Sequence, residues 1–172
     1  YQADQNGTAI ITVTATSNGQ TVIDVFEVAV IGVGDAPVIT QGAGPLTKNV
    51  LEDGTATWVS SELNATDVDV GDILTWSVSS PAANGVATAS GAGASPTVFS
   101  YAPTADFNGS DSFDVEVSDG GLTDTITVNV TVSAVNDAPV ITQGEGPLTK
   151  TVDEDGTITW APSELNATDL DV

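Results

Sequence analysis

Residues 35–70, DAPVITQGAGPLTKNVLEDGTATWVSSELNATDVDV, return with few changes as residues 137–172. Asp137 follows Asp35 by 102 residues, and the same offset sets Asn6-Gly7 on Asn108-Gly109 without a gap. Self-similarity at a fixed period means that one structural unit is used more than once. A period near a hundred residues is far longer than a solenoid repeat and has the size of an independently folding domain, so each unit must bury its own core. Three segments follow: residues 1–34 as the C-terminal part of a preceding repeat, 35–136 as one complete repeat, and 137–172 as the N-terminal part of a following one. The chain reads as a cut from a longer tandem array, and its functional features are expected at the junctions. A partial unit should expose unpaired strand edges unless neighbouring sequence completes it.

Within the unit, apolar and polar residues alternate with period two, as in Ile11-Thr12-Val13-Thr14-Ala15 and Phe113-Asp114-Val115-Glu116-Val117. That is the pattern of half-buried antiparallel strands, and the abundance of Thr and Val suits a pleated surface rather than a helix. Strands are expected at Leu46–Val50, Thr55–Val59, Leu74–Ser79, Val86–Ser90, Val98–Tyr101, Ser112–Val117 and Thr125–Val132, separated by stretches rich in Gly, Pro, Asn and Asp. Seven short strands indicate an all-β sandwich. Leu74, Trp76 and Val78 share a parity and should face the core, as should Phe113, Val115 and Val117. Trp58 and Trp76 read as core anchors rather than a platform for sugars. The last strand runs into Ala134-Val135-Asn136-Asp137-Ala138-Pro139. Proline fixes its own φ and holds the preceding residue extended, so this linker and Ala36-Pro37 should be short and semi-rigid.

Acidic residues number 24 against two cations, Lys48 and Lys150, giving a formal net charge of −22 with no His. Nucleic acid and anionic membrane are bound through Lys and Arg and are therefore excluded as partners, whereas cations are favoured. Cysteine is absent, so neither a disulfide framework nor a thiolate metal site is available. No apolar run is long enough to span a bilayer, and since Tyr1 lies in mid-repeat, targeting signals are expected outside this stretch.

The carboxylates recur in fixed order: Glu52-Asp53 after the first strand, Asp67 and Asp69 after the second, Asp106 before the sixth, Asp119 after it, and Asn136-Asp137 at the linker. Asp35, Glu154, Asp169 and Asp171 are repeat-related copies. Asp67 and Asp69, two residues apart in an extended segment, point to the same side; at about 4 Å their repulsion is of the order of 4 kcal/mol, so a cation is expected between them. Hard oxygen ligands in loops select Ca²⁺, and the chain offers neither His nor Cys for zinc. Strand polarity should gather Asp67, Asp69 and Asp119 at the pole where the domain begins, and Glu52, Asp53 and Asp106 at the pole beside the next linker. Asp119-Gly120-Gly121 is equally a plain hairpin turn. Several Asn-x-Ser/Thr sequons occur, at Asn64 and Asn129 among others, as expected by chance in so Asn- and Thr-rich a chain.

Asp67-x-Asp69 in ATDVDVGD, Asp119 in VSDGG, Glu52 beyond the first strand and VNDAPV at residues 135–140 resemble the cadherin repeat. With YAPTADFNGSDSF at 101–113 and GLTDTITVNVTV at 121–132, the chain is most similar to bacterial cadherin-like and VCBS-type repeats of large secreted RTX-type adhesins. The resemblance covers the whole chain. It implies Ig-like (cadherin-like) seven-stranded antiparallel sandwiches joined end to end, Ca²⁺ at the junctions through the residues named above, and an extracellular, cell-surface role in adhesion and biofilm formation. The sequence departs from cadherins in carrying Asp106 alone where they place a further acidic motif in mid-domain, and in having Gly34 where the second linker has Asn136.

The leading expectation is a calcium-stiffened spacer whose partners are the neighbouring repeats of its own chain. A carbohydrate-binding module for surface polysaccharide would need exposed Trp or Tyr along one face. A self-assembling fibre subunit, with homotypic pairing of the partial repeats by strand addition, is the third reading. An enzyme is disfavoured, because without His, Cys or Arg only carboxylate chemistry remains, and that requires two carboxyls in a cleft.

Overall fold

A computed structural model describes residues 6–143 and 146–169. Its elements are β1 (Gly7–Ser17), β2 (Gln20–Val30), β3 (Val38–Ile39), β4 (Leu46–Leu51), β5 (Ala56–Thr57), β6 (Ala65–Thr66), β7 (Thr75–Ser80), β8 (Gly85–Ala92), β9 (Val98–Pro103), β10 (Gly109–Ser118), β11 (Thr123–Ser133), β12 (Val140–Ile141) and β13 (Ala167–Thr168). A single turn of 3₁₀ helix at Pro162–Glu164 is the only helical element among the described residues.

Residues 37–133 form a β-sandwich. One layer runs β4-β11-β10-β7 and the other β8-β9-β5, joined where β7 and β8 pair at Thr75 with Ala92 and Trp76 with Gly91. The alternation seen in the sequence becomes the burial pattern: Ile126, Val128, Val130 and Val132 of β11 are buried while the Thr and Asn between them are exposed. On β10 Phe113 lies opposite Val128 and Val115 opposite Ile126, with Val117 further along the same face, and all three are buried. Each such side chain contributes about 1.5–3 kcal/mol on leaving water. Trp58 stacks on Phe99 at 4.2 Å, Phe113 meets both rings edge-on at 6.2 and 6.3 Å, and Tyr101 stacks on Phe113 at 5.9 Å. Trp76 is also buried and donates from Nε1 to the Gly93 carbonyl at 3.0 Å.

Two short strands lie outside the seven read from the sequence. β3 pairs with β6, and after it Gly42, at φ +80°, and Pro45 lead the chain into β4. There β4 runs parallel to β11, in the one parallel ladder of the described residues, with Val128 opposite Leu46 and Val132 opposite Val50.

The repeated sequence makes repeated structure. The hairpin β1–β2 pairs Gly7 with Val30 and β10–β11 pairs Gly109 with Val132, the same register displaced by one period. β12–β13 likewise reproduces β3–β6. Lys48 pairs with Glu62 at 3.0 Å and lies 5.3 Å from the Trp58 ring; Lys150 pairs with Glu164 at 2.8 Å and lies 5.0 Å from Trp160. One detail differs. β1–β2 closes through Asn18-Gly19, both with positive φ, as a two-residue hairpin requires, whereas β10–β11 opens one pair earlier into a four-residue turn.

Candidate metal centre

β6 leaves the sandwich at Thr66 and runs into the loop Asp67-Val68-Asp69-Val70-Gly71-Asp72 before β7 begins. The loop is anchored at both ends, by the Ala65 amide on the Ala94 carbonyl at 2.8 Å and the Gly93 amide on the Leu74 carbonyl at 2.8 Å. Gly71, at φ +110°, lets it fold back. Oxygens of Asp67, Asp69 and Asp72 thereby come within 4.8 Å of one another. Asp67 and Asp69 are half-buried and Asp72 is exposed. Asp67 Oδ1 accepts the Asp69 amide at 2.8 Å, and Asp69 Oδ2 accepts the amide of Asp35, in the incoming linker, at 2.7 Å.

The other Asp67 oxygen, Oδ2, is buried and has no hydrogen-bond partner. An orphaned buried acceptor costs about 1–3 kcal/mol, and more when charged. Two neighbouring carboxylates raise that cost further. The donor set fits a hard cation. Ca²⁺ bonds oxygen at about 2.3–2.6 Å, so one ion spans oxygens up to about 5 Å apart, and it accepts the mix of carboxylate, carbonyl and water that an exposed loop offers.

At the far pole Glu52 is buried. Its amide donates to the Ser133 carbonyl at 3.0 Å and its Oε1 accepts the Val135 amide at 2.6 Å, which ties the end of β4 to the outgoing linker. Asp53 beside it is exposed. Asp106 is exposed in the turn between β9 and β10, at φ +59°. Asn136 donates from its side chain to the Asp137 carbonyl at 2.8 Å. Glu154 is exposed, Asp169 follows β13, and Asp171 lies outside the described residues.

Asp119 does not join the Asp67 cluster. Its carboxylate closes its own hairpin by accepting the amides of Leu122 and Gly121, both at 2.6 Å, and those two bonds hold its pKa below the ordinary value. Asp72, which is not among the residues expected from the sequence to bind an ion, completes the cluster. The signal was present in the spacing Asp-x-Asp-x-x-Asp with Gly before the last member. Asp111 also escaped notice: it sits at an inward position of β10, and its buried carboxylate accepts Tyr101 Oη at 2.8 Å and the amides of Asn84, Ser112 and Ala83 at 2.8, 2.9 and 3.1 Å.

The bacterial Ig domain family matches residues 34–131. No curated protein matches the sequence at a significant level. Among solved structures, extracellular cadherin domains 1–4 of protocadherin gamma B7 align with 90% of this chain and 38% of theirs, at 19% identity and a TM-score of 0.52, which is a likeness of fold. Cadherin domains 3–6 of the same protein align with 98% of this chain and 44% of theirs, at 20% identity and a TM-score of 0.49. An endo-fucoidan hydrolase of glycoside hydrolase family 107 aligns with 80% of this chain and 21% of its own, at 19% identity and a TM-score of 0.43. The chain thus spans less than half the length of each of these proteins.

Proposed function

The chain belongs to the bacterial Ig domain family, and from that premise we propose that it serves as an extracellular spacer, its repeats joined end to end and stiffened by Ca²⁺ at their junctions, within a long surface adhesin of the kind that supports biofilms. The observation that carries this reading is the cluster of Asp67, Asp69 and Asp72, with its unpartnered buried oxygen, lying on the amide of the incoming linker.

Asp67, Asp69 and Asp72 would hold the ion, and Asp35 would be positioned by Asp69. The ion supplies positive charge that offsets three carboxylates. The protein's own part is to hold the loop ends fixed and to bring the linker onto Asp69, so that ordering the loop also orders the joint. Glu52, through Val135, does the corresponding work on the outgoing linker. This division of labour suits a mechanical element. No helix among the described residues is long and apolar enough to cross a membrane. Trp58 and Trp76 lie in the core, so neither is available to stack on a sugar.

Isothermal titration with Ca²⁺, paired with small-angle scattering in Ca²⁺ and in EGTA, tests the proposal. It expects saturable binding and a longer, stiffer particle in calcium, both lost in Asp67→Asn with Asp69→Asn. Scattering profiles that coincide in the two buffers, with no heat of binding, would reduce the cluster to a turn and a source of surface charge.

A further inference from the structure

Residues 73–105, which supply β7, β8 and β9, contain no charged side chain, although the chain as a whole carries −22. Within them β8 and β9 pair in antiparallel register, Val86 with Ala102, Thr88 with Ser100 and Ser90 with Val98, and Thr57 of β5 flanks Ser100 on its other side. Phe99 and Tyr101 of β9, and Ala56 and Trp58 on either side of Thr57, are buried. Successive side chains on a strand point to opposite faces, so the paired residues named first point outward. They form a grid of three rows on the flank of the complete repeat: Val86 and Ala102, then Thr88, Ser100 and Thr57, then Ser90 and Val98, with Val59 at the corner. Val59 is 64% exposed, Val86 70% and Val98 47%. The charges that precede and follow β5 in the chain are Asp53 and Glu62, and Glu62 is paired with Lys48 at 3.0 Å. The outer face of the other layer differs, because there the outward positions of β10 include Asp114 and Glu116.

We propose that this face is a lateral docking surface for a second copy of the chain, the two copies lying side by side with grid against grid. Two chains of −22 repel wherever their carboxylates meet, and on this face none do, so charge selects it from the rest of the surface. A neutral glycan is the other uncharged occupant, but the rings of this layer, Trp58, Phe99 and Tyr101, are buried beneath the grid and leave no platform for stacking. The grid is also its own complement. A two-fold axis lying in the contact plane and crossing Ser100 sets hydroxyl row on hydroxyl row and closes the contact as an isologous pair. Three strands about 4.8 Å apart, over residues 86–90 at about 3.4 Å each, offer about 240 Å² per copy. Stable interfaces bury about 800 Å² per partner, so the contact is weak and reversible rather than a permanent dimer.

The chain has no cysteine, so Ser100→Cys carries a single thiol at the centre of the grid, and Asn129→Cys a single thiol on the outer face of the other layer. A short bismaleimide able to bridge faces packed about 10 Å apart traps the contact, and EGTA excludes calcium bridges between acidic copies. Each rate is divided by that of a monofunctional maleimide at the same thiol. Ser100→Cys should then give covalent dimers about tenfold faster than Asn129→Cys. Adding Val86→Asp to Ser100→Cys should slow dimer formation by about tenfold, since it sets a carboxylate in the contact, whereas Val86→Asn, of the same shape without the charge, should leave it little changed. Equal normalised rates at the two thiols, or equal rates for Val86→Asp and Val86→Asn, overturn the proposal. So does protection of the Ser100→Cys thiol by dextran with no covalent dimer formed, which assigns the face to a neutral glycan.

Discussion

Replacing Asp67 by Asn should stabilise the protein without calcium and destabilise it with calcium. Three carboxylates with oxygens within 4.8 Å repel by about 3.5 kcal/mol per pair at an effective dielectric of 20. Asp67 and Asp69 are only half-buried and Asp72 is exposed, so solvent leaves about 1–2 kcal/mol of the two pairs that involve Asp67. The substituted side chain keeps an Oδ1 that can accept the Asp69 amide, and its new amide nitrogen replaces the unpartnered Oδ2 with a donor facing two carboxylates. In EGTA the melting temperature should therefore rise by about 5–15 °C, at about 4–8 °C per kcal/mol for a domain near 100 residues. With free calcium at about a hundred times Kd, the unsubstituted chain gains about 2.7 kcal/mol from the ion, and the variant forfeits most of it. Differential scanning calorimetry in the two buffers reads both signs. An equal loss in both would mean that Asp67 acts only as the acceptor that shapes the turn, and the reasoning about repulsion and the ion would fail.

Asp111→Ala strands Tyr101 Oη and the Asn84 and Ala83 amides, and should cost about 3 kcal/mol by chemical denaturation. Burial pushes the Asp111 pKa up, but its bonds from Asn84, Tyr101, Ser112 and Ala83 outweigh burial and hold it below the ordinary 3.8. Its stabilisation is therefore full above that value and lost as pH falls through the lower folded value, so Asp111→Asn should flatten the acid limb of the stability curve. Phe113→Ala removes the ring that meets Trp58, Phe99 and Tyr101, and should cost about 3–5 kcal/mol in urea with an unchanged m-value. Gly85→Ala would set a Cβ 2.5 Å from the Tyr101 ring and 2.6 Å from the Ala102 carbonyl, and should cost about 1–3 kcal/mol, with a broadened Tyr101 resonance as its signature.

The sandwich was legible because strand patterning is local. Each alternating run from Leu46 to Val132 carries its own inside and outside, and Thr and Val leave little choice of period. What stayed hidden depended on pairs far apart in sequence. The two-residue strands β3 and β6 exist only because they meet, and Asn64-Ala65-Thr66 has no alternation of its own to reveal them. The parallel setting of β4 against β11 depends on how the chain passes from β3 through Gly42 to Pro45, which strand pattern does not encode. At the candidate site, Asp67 and Asp69 stand out by spacing, whereas Asp72 joins them only because the loop folds back at Gly71. Asp111 defeated the pattern outright: an inward position on a strand is expected to be apolar, and only the convergence of Tyr101 and three amides makes a carboxylate tolerable there.

Glu52 separates two roles that the geometry joins. It is buried at the pole opposite Asp67, and its Oε1 holds the Val135 amide at 2.6 Å, so it fixes the linker whether or not an ion is near. Glu52→Gln keeps a carbonyl oxygen of the same reach and should retain that bond at a cost of about 1 kcal/mol, the difference between a charged and a neutral acceptor. Glu52→Ala loses it, and amide exchange at Val135 should quicken by about tenfold or more in EGTA. If Glu52 is only a peg, Glu52→Gln binds calcium as the unsubstituted chain does. If its charge also serves the ion, Glu52→Gln keeps the slow exchange at Val135 but lowers calcium affinity, a split that loss of packing could not produce. Fast exchange at Val135 in Glu52→Gln would contradict both, and would place the linker's order in contacts other than this carboxylate.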